Sequence, residues 1–199
     1  MKKKLILFLL FILPITMLVL TGCGESETDG ASGTNGNPII EIEIEGHGVI
    51  VAELFPEYAP ITVENFLNLI EEGFYDGLTF HRIISGFMMQ GGCPSGTGFD
   101  GSGENIVGEF ASNGIDNPLQ HTRGVLSMAR AWDPDSASSQ FFIMHGDHSG
   151  LDGDYAAFGE VTSGMDVVDS VIDSVTELDS NGTIDPSEHP VIREIRVIN

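Results

Sequence analysis

The stretch Phe80-His81-Arg82-Ile83-Ile84-Ser85-Gly86-Phe87-Met88-Met89-Gln90-Gly91-Gly92 places one permanent cation, a run of large apolar groups and one amide side chain within thirteen residues. An ordinary amphipathic pattern does not need that mixture. Leu78 to Ile84 and Phe87 to Gln90 read as two short β-like runs around Ser85 and Gly86. Side chains alternate along a strand, so His81 is expected to face away from Arg82 and to be a structural histidine.

Upstream, Ile39 to Glu45 alternates apolar and acidic residues, the mark of a half-buried strand. Gly46-His47-Gly48 is a turn and Val49 to Phe55 a second strand, so the pair reads as a hairpin. Pro60 to Glu72 reads as a helix with Val63, Phe66, Leu67 and Ile70 on one face, ended by Gly73. Downstream, Gly91 to Gly108 reads as a glycine-rich loop. Strands are expected at Val125 to Ala129, Gln140 to Met144, Ala156 to Val161 and Val191 to Ile198, and a second helix at Met165 to Val175. Within Gln140 to Met144, alternation puts Gln140 and Phe142 on one face and leaves Phe141 on the other; Phe141 and Met144 are read as core. Many short strands with two helices well apart point to a mainly β chain folded as a closed antiparallel barrel.

Three separated motifs appear in order: the Phe80 to Gly92 stretch, Ser139-Gln140-Phe141-Phe142-Ile143, and Leu151-Asp152-Gly153. Together they resemble the cyclophilin peptidyl-prolyl isomerases, and the resemblance covers Pro38 to Asn199. It implies a closed eight-stranded antiparallel β-barrel capped by two α-helices, an activity that accelerates X–Pro isomerisation, proline-containing polypeptides as substrates, and no cofactor. The chemistry explains the residue types. Rotation about a peptide bond faces a barrier of about 18–20 kcal/mol because the C–N bond is partly double. Twisting makes the nitrogen lone pair available, so a donor aimed at it binds the transition state better than the ground state.

By this resemblance Arg82 is the catalytic donor, a role its permanent charge and rigid fork of N–H groups suit. A surface ion pair is the plain reading of a lone arginine in so acidic a chain; the surrounding motif argues for the donor. Phe87, Met88, Phe142 and Leu151 match the proline pocket. Gln90 matches the amide that holds substrate backbone and steadies the arginine. Ala129, Arg130 and Ala131 match a segment that pairs with extended substrate through its main chain, and Gln140 joins Phe142 in the groove. Arg130 stands where many members have asparagine, which suggests a taste for acidic flanking residues. Tyr155 stands where many have histidine, and its ring can still close the pocket. Gly150 stands where some carry a tryptophan that helps bind cyclosporin, so weak or no binding of that drug is expected. Trp132 lies in another loop, and Ser85 replaces a common proline.

The chain has 199 residues and a formal net charge of −22. Lys2, Lys3 and Lys4 precede the almost wholly apolar Leu5 to Leu20. With Pro14 and its short length, this reads as a signal peptide over residues 1–22 and not as a permanent span. Leu20-Thr21-Gly22-Cys23 looks like a bacterial lipobox, making Cys23 the lipidation site. Residues 23–37 read as a flexible acidic and Gly-Ser tether, and 38–199 as the isomerase domain. The expectation is a monomeric lipoprotein, extracytoplasmic and anchored to the cell-envelope membrane. Residues 23–199 hold five arginines against 30 acidic residues, a formal charge of −25 that opposes nucleic-acid binding. Cys93, the other cysteine, has no internal partner once Cys23 is lipidated and reads as structural.

Three other signals carry less. Gly96 to Gly101 satisfies G-x-G-x-x-G, but Gly-Ser-Gly follows and cannot open the helix a nucleotide site requires. His145 and His148 lack a clear third metal ligand. Glu177 to Glu188 puts Glu177, Asp179, Asn181, Asp185 and Glu188 at calcium-loop spacing with Gly182 at the sixth place. Pro186 and His189-Pro190 oppose the helix that should follow, and an acidic connector is the plainer reading. Two alternatives to the enzyme remain: a non-catalytic chaperone or adaptor that holds proline segments, and a calcium-dependent surface protein on the same scaffold.

Overall fold

The computed structural model describes residues 36–199. The expected signal peptide, the expected lipidation site Cys23 and the expected tether up to residue 35 lie outside the described residues. Eight strands and two helices follow in the order β1 (Ile39–Ile44), β2 (Gly48–Leu54), α1 (Pro60–Glu71), β3 (Thr79–Ile84), β4 (Met88–Cys93), β5 (Val125–Met128), β6 (Phe141–Met144), β7 (Ala157–Ser163), α2 (Met165–Asp173) and β8 (Ile192–Val197). All eight strands join one antiparallel sheet, ordered β3-β4-β6-β5-β7-β2-β1-β8. The outermost strands in that order also meet. Thr79 bridges Val191, the Phe80 N–H donates to the Pro190 carbonyl at 3.0 Å, and the Ile192 N–H donates to the Leu78 carbonyl at 2.8 Å. No helix among the described residues is long and apolar enough to cross a membrane.

The alternating pattern of β1 is realised fully: Ile40, Ile42 and Ile44 are buried, while Glu41 and Glu43 stand outward beside Arg196 and Arg193. Inside the sheet, Phe66 from α1 meets Tyr75, Phe141 and Phe158 at centroid distances of 5.0–5.2 Å, in tilted and edge-on geometries that rings prefer. Helix α1 has no cap from its own preceding residue. The buried carboxylate of Glu109 replaces it, accepting from the Ile61 N–H at 3.0 Å and from the Thr62 N–H and hydroxyl, each at 2.7 Å. A negative group at the positive end of the helix satisfies donors that the first turn leaves open.

Two expectations change. Strand β4 runs on to Cys93, three residues into the stretch read as loop, because Gly91 and Cys93 still pair with Phe80 and Thr79. The register of β3 shifts between Phe80 and Arg82, so His81 is an extra residue opposite Gln90 and Gly91. Such a bulge breaks strict alternation. Phe80 and Ile83 both enter the main core, and His81 and Arg82 line the same outer cavity. His81 therefore shares the face of Arg82 instead of opposing it.

Candidate active site

The register of four strands lays the site out as one row. Arg82 on β3 pairs with Gln90 on β4, Gln90 with Phe142 on β6, and Phe142 with Ser127 on β5. In the next row Met88 pairs with Met144. These side chains stand on the face away from the main core and found a second apolar cluster of Met88, Val125, Phe142, Met144 and Ala157. Met144 belongs to this cluster and not to the main core with Phe141, since it shares the parity of Gln140 and Phe142. Around the row opens a pocket of about 310 Å³ lined by Arg82, Phe87, Met88, Gln90, Ala129, Arg130, Phe142, Leu151 and Tyr155. Ala131 and Gln140 line the adjoining pocket of about 240 Å³, which shares Gln90, Ala129 and Arg130. All eleven residues singled out for catalysis or substrate binding thus fall on two contiguous hollows.

Arg82 is held from two sides. Its Nε donates to the Asn181 carbonyl at 2.7 Å and its Nη1 to Gln90 Oε1 at 3.2 Å. Nη2 has no partner among the described residues and stays available. The guanidinium lies 6.0 Å from the Phe87 centroid. Half-burial lowers its pKa, yet arginine remains a cation at any physiological pH. Gln90 passes the constraint on: its Nε2 donates to Gln140 Oε1 at 2.9 Å, and Gln140 Nε2 donates to the carbonyls of Gly98 and Asp100 at 3.0 and 2.7 Å. A chain of amides therefore ties the arginine to the glycine-rich loop. Cys93 anchors that loop from beneath, its Sγ 2.6 Å from Asp100 Oδ1 and accepting from the Gly98 N–H at 3.1 Å. The G-x-G-x-x-G run is a turn segment with no helix after it, and its task is to wall the groove.

The acidic segment 177–188 contacts Arg82 through its backbone. Its carboxylates face separate backbone donors: Glu177 the Ser85 N–H, Asp179 those of Asn181 and Thr183, Asp185 that of Ser187, and Glu188 that of Thr176. No three acidic, histidine or cysteine side chains among the described residues converge as a metal set. What the segment presents is the Asn181 carbonyl, and the Gly182 carbonyl accepts from the Ile83 N–H at 2.9 Å.

Several residues that shape the site were not assigned to it from the sequence. His121 is buried behind Phe142, with Nδ1 3.0 Å from Asp152 Oδ1, Nε2 3.0 Å from Ser127 Oγ, and its ring stacked 6.1 Å from that of Phe142. Burial holds its pKa below the ordinary value. His148 packs on Phe87 at 4.7 Å, and His145 accepts from the Gly86 N–H at 2.8 Å, so the two loop histidines support the groove wall. His81 is 6% exposed, and neither ring nitrogen has a hydrogen-bond partner among the described residues. Burial, aided by the fields of His189 and Arg82, pushes its pKa down to about 4. Asp152 had a signal through the Leu-Asp-Gly motif, His81 reads from the sequence as structural and His145 and His148 as a weak metal pair; His121 and Ser127 had none and meet their partners only through the fold.

Comparison with known proteins agrees with this geometry. Residues 39–197 match the family model described as cyclophilin type peptidyl-prolyl cis-trans isomerase/CLD. The chain belongs to that family. It is 46% identical over 154 residues to peptidyl-prolyl cis-trans isomerase B of Bacillus subtilis, covering 77% of this chain and 94% of that protein. It is 40% identical over 160 residues to the Escherichia coli protein of the same name, covering 76% and 94% respectively. A crystal structure of a Cryptosporidium parvum cyclophilin in the presence of the dipeptide Ala-Pro matches 81% of this chain and 99% of that one, at a TM-score of 0.71 and 30% identity.

Proposed function

We propose that this chain is a working peptidyl-prolyl cis-trans isomerase that accelerates X–Pro isomerisation in folding proteins, with Arg82 stabilising the twisted amide. The observation that carries this is the state of Arg82: anchored through Nε and Nη1 in the lining of the pocket that also holds Phe87, Met88, Phe142 and Leu151, with Nη2 unpartnered among the described residues. A proline ring seated among Met88, Phe142, Leu151 and Tyr155 puts its nitrogen within reach of that donor. Gln90 and the 129–131 main chain hold the flanking backbone while the acyl side rotates. Fixing the donor in advance matters because it then needs no reorganisation as the lone pair develops. The bonds between the outermost strands support a closed barrel, which would keep this wall rigid.

The N-terminal reading belongs to the same proposal. A basic and apolar leader, a lipobox-like Leu20-Thr21-Gly22-Cys23 and a polar tether support a lipid-anchored, extracytoplasmic protein acting as a monomer on emerging surface or secreted chains. Glycine at position 150 supports weak cyclosporin binding.

The test is cis/trans exchange of a short Ala-Pro-Phe peptide by NMR. Fast exchange that falls by roughly 10²-fold or more in Arg82→Ala is expected, the scale of losing one transition-state donor. Tight peptide binding without faster exchange would instead make the groove a proline-recognising module. Membrane fractionation of wild type and Cys23→Ser checks the anchor: only the wild type should float with membranes.

A further inference from the structure

The five arginines of residues 36–199 fall into two sets. Arg123 pairs with Asp169 at 2.7 Å, Arg193 with Glu43 at 3.1 Å, and Arg196 with Glu41 and Glu194. Arg82 and Arg130 form no ion pair with any described carboxylate, and both line the groove. In a chain with 30 acidic residues, two arginines without an ion-pair partner in one groove call for a cause. The isomerase reading supplies one for Arg82 alone.

Arg130 is gripped entirely by neutral groups. Its Nε donates to the Asp154 carbonyl at 2.9 Å and its Nη1 to the Ala131 carbonyl at 3.0 Å. Its guanidinium lies 4.7 Å from the Tyr155 ring centroid and 5.0 Å from that of Phe110. Carbonyl dipoles and aromatic faces orient a guanidinium without cancelling its charge. Nη2 has no partner among the described residues. Arg130 is thus a fixed, full charge with one open donor edge, standing where the two hollows of the groove meet.

We propose that the groove selects prolyl segments bearing a carboxylate side chain beside the proline, with Arg130 as the specificity-determining residue. The proposal rests on the isomerase reading for the seat of the proline. An extended peptide with its proline in the 310 Å³ pocket and its chain along residues 129–131 passes the open edge of Arg130. The net negative protein repels such a peptide at long range, but at 0.1 M salt that field is screened beyond about 10 Å, while the contact is screened less.

The experiment uses single-proline peptides with Glu, Gln or Lys placed in turn at each of the two positions before and after the X–Pro bond, at 0.1 M salt. Exchange rates and titration affinities are read by NMR for wild type, Arg130→Gln and Arg130→Lys. At one or more positions Glu is expected to exceed Gln by about threefold to fivefold, the scale of a partly exposed ion pair, with Lys below Gln. That ratio should collapse to about one in Arg130→Gln and persist in part in Arg130→Lys, whatever happens to the absolute rate. Equal Glu and Gln values at every position, or a ratio unchanged in Arg130→Gln, overturns the proposal. Absence of faster exchange with any peptide overturns the isomerase reading instead, and the affinity ratios still decide the role of Arg130.

Discussion

Arg82, the proposed catalytic donor, shows how little of a side chain's role lies in its charge alone. Arg82 uses one nitrogen on a carbonyl of a distant loop and one on an amide of the neighbouring strand, which aims the third. A lysine has a single ammonium and cannot hold both anchors while presenting a directed donor. Arg82→Lys is therefore expected to lose roughly 10²-fold in kcat/KM, close to the alanine variant, despite keeping the charge. Near-normal turnover in Arg82→Lys would mean that charge alone suffices. At the same face His81 makes a different prediction. Its pKa is about 4 when folded against about 6.5 when unfolded. Between those values the unfolded chain takes up the proton and the native chain does not, so stability falls as pH drops from 6.5 towards 4 and this contribution levels off below. The full span is roughly 2–4 kcal/mol. Urea unfolding at pH 7 and pH 4.5 checks it: His81→Leu should show a smaller loss than wild type between the two. The groups facing His81 are His189, Arg82 and Asp100, and all three remain in that variant.

Among the elements, the segment between α2 and β8 matters most for the site. Gly182 has φ +77°, a left-handed conformation, and an added Cβ would fall 2.5 Å from the Ile83 carbonyl and 2.3 Å from the Ile84 side chain. Gly182→Ala must push the segment off β3 and carry the Asn181 carbonyl away from Arg82. A loss of about 1–3 kcal/mol in stability, with a fall in kcat/KM beyond what the folded fraction explains, is expected from urea titration and exchange kinetics together. Lost stability with full activity per folded molecule would show that the segment does not brace the arginine. Helix α1 depends on Glu109 in a similar long-range way. Glu109→Ala strands the N–H groups of Ile61 and Thr62 and should cost about 1–3 kcal/mol, measured by thermal or urea unfolding, with little change in the groove.

At the scale of the whole molecule, acid dominates. A formal charge of −22 spread over a small domain repels itself, and the ion pairs of Arg193 and Arg196 are half-exposed and offset little of it. Salt shortens the reach of that repulsion from about 30 Å at 0.01 M to about 10 Å at 0.1 M. The melting temperature is expected to rise by several degrees between 10 mM and 500 mM NaCl. A fall over that range would mean that attractive pairs outweigh repulsion. The same field leaves the groove distinctive, since its two arginines are the ones among the described residues that form no carboxylate ion pair.

Much of this protein could be read from its chain because the relevant signals are local. Alternation in β1, the apolar face of α1, the parity of Gln140 and Phe142, and the composition of the Phe80 to Gly92 motif each depend on neighbours within a few residues. Tertiary structure alone decided what depends on meetings across the chain. The bulge that turns His81 onto the face of Arg82 arises from pairing with β4, and no property of residues 80–82 announces it. The spacing of Glu177 to Glu188 matches a calcium loop although an acidic connector is its plainer reading, and it is the fold that brings its carboxylates to separate N–H groups and its carbonyls to Arg82 and β3. Met144 sits under the groove because its parity on β6 matches a face that only the assembled sheet defines. Residue type sets what a side chain is able to bond; the register between distant strands sets which bonds form.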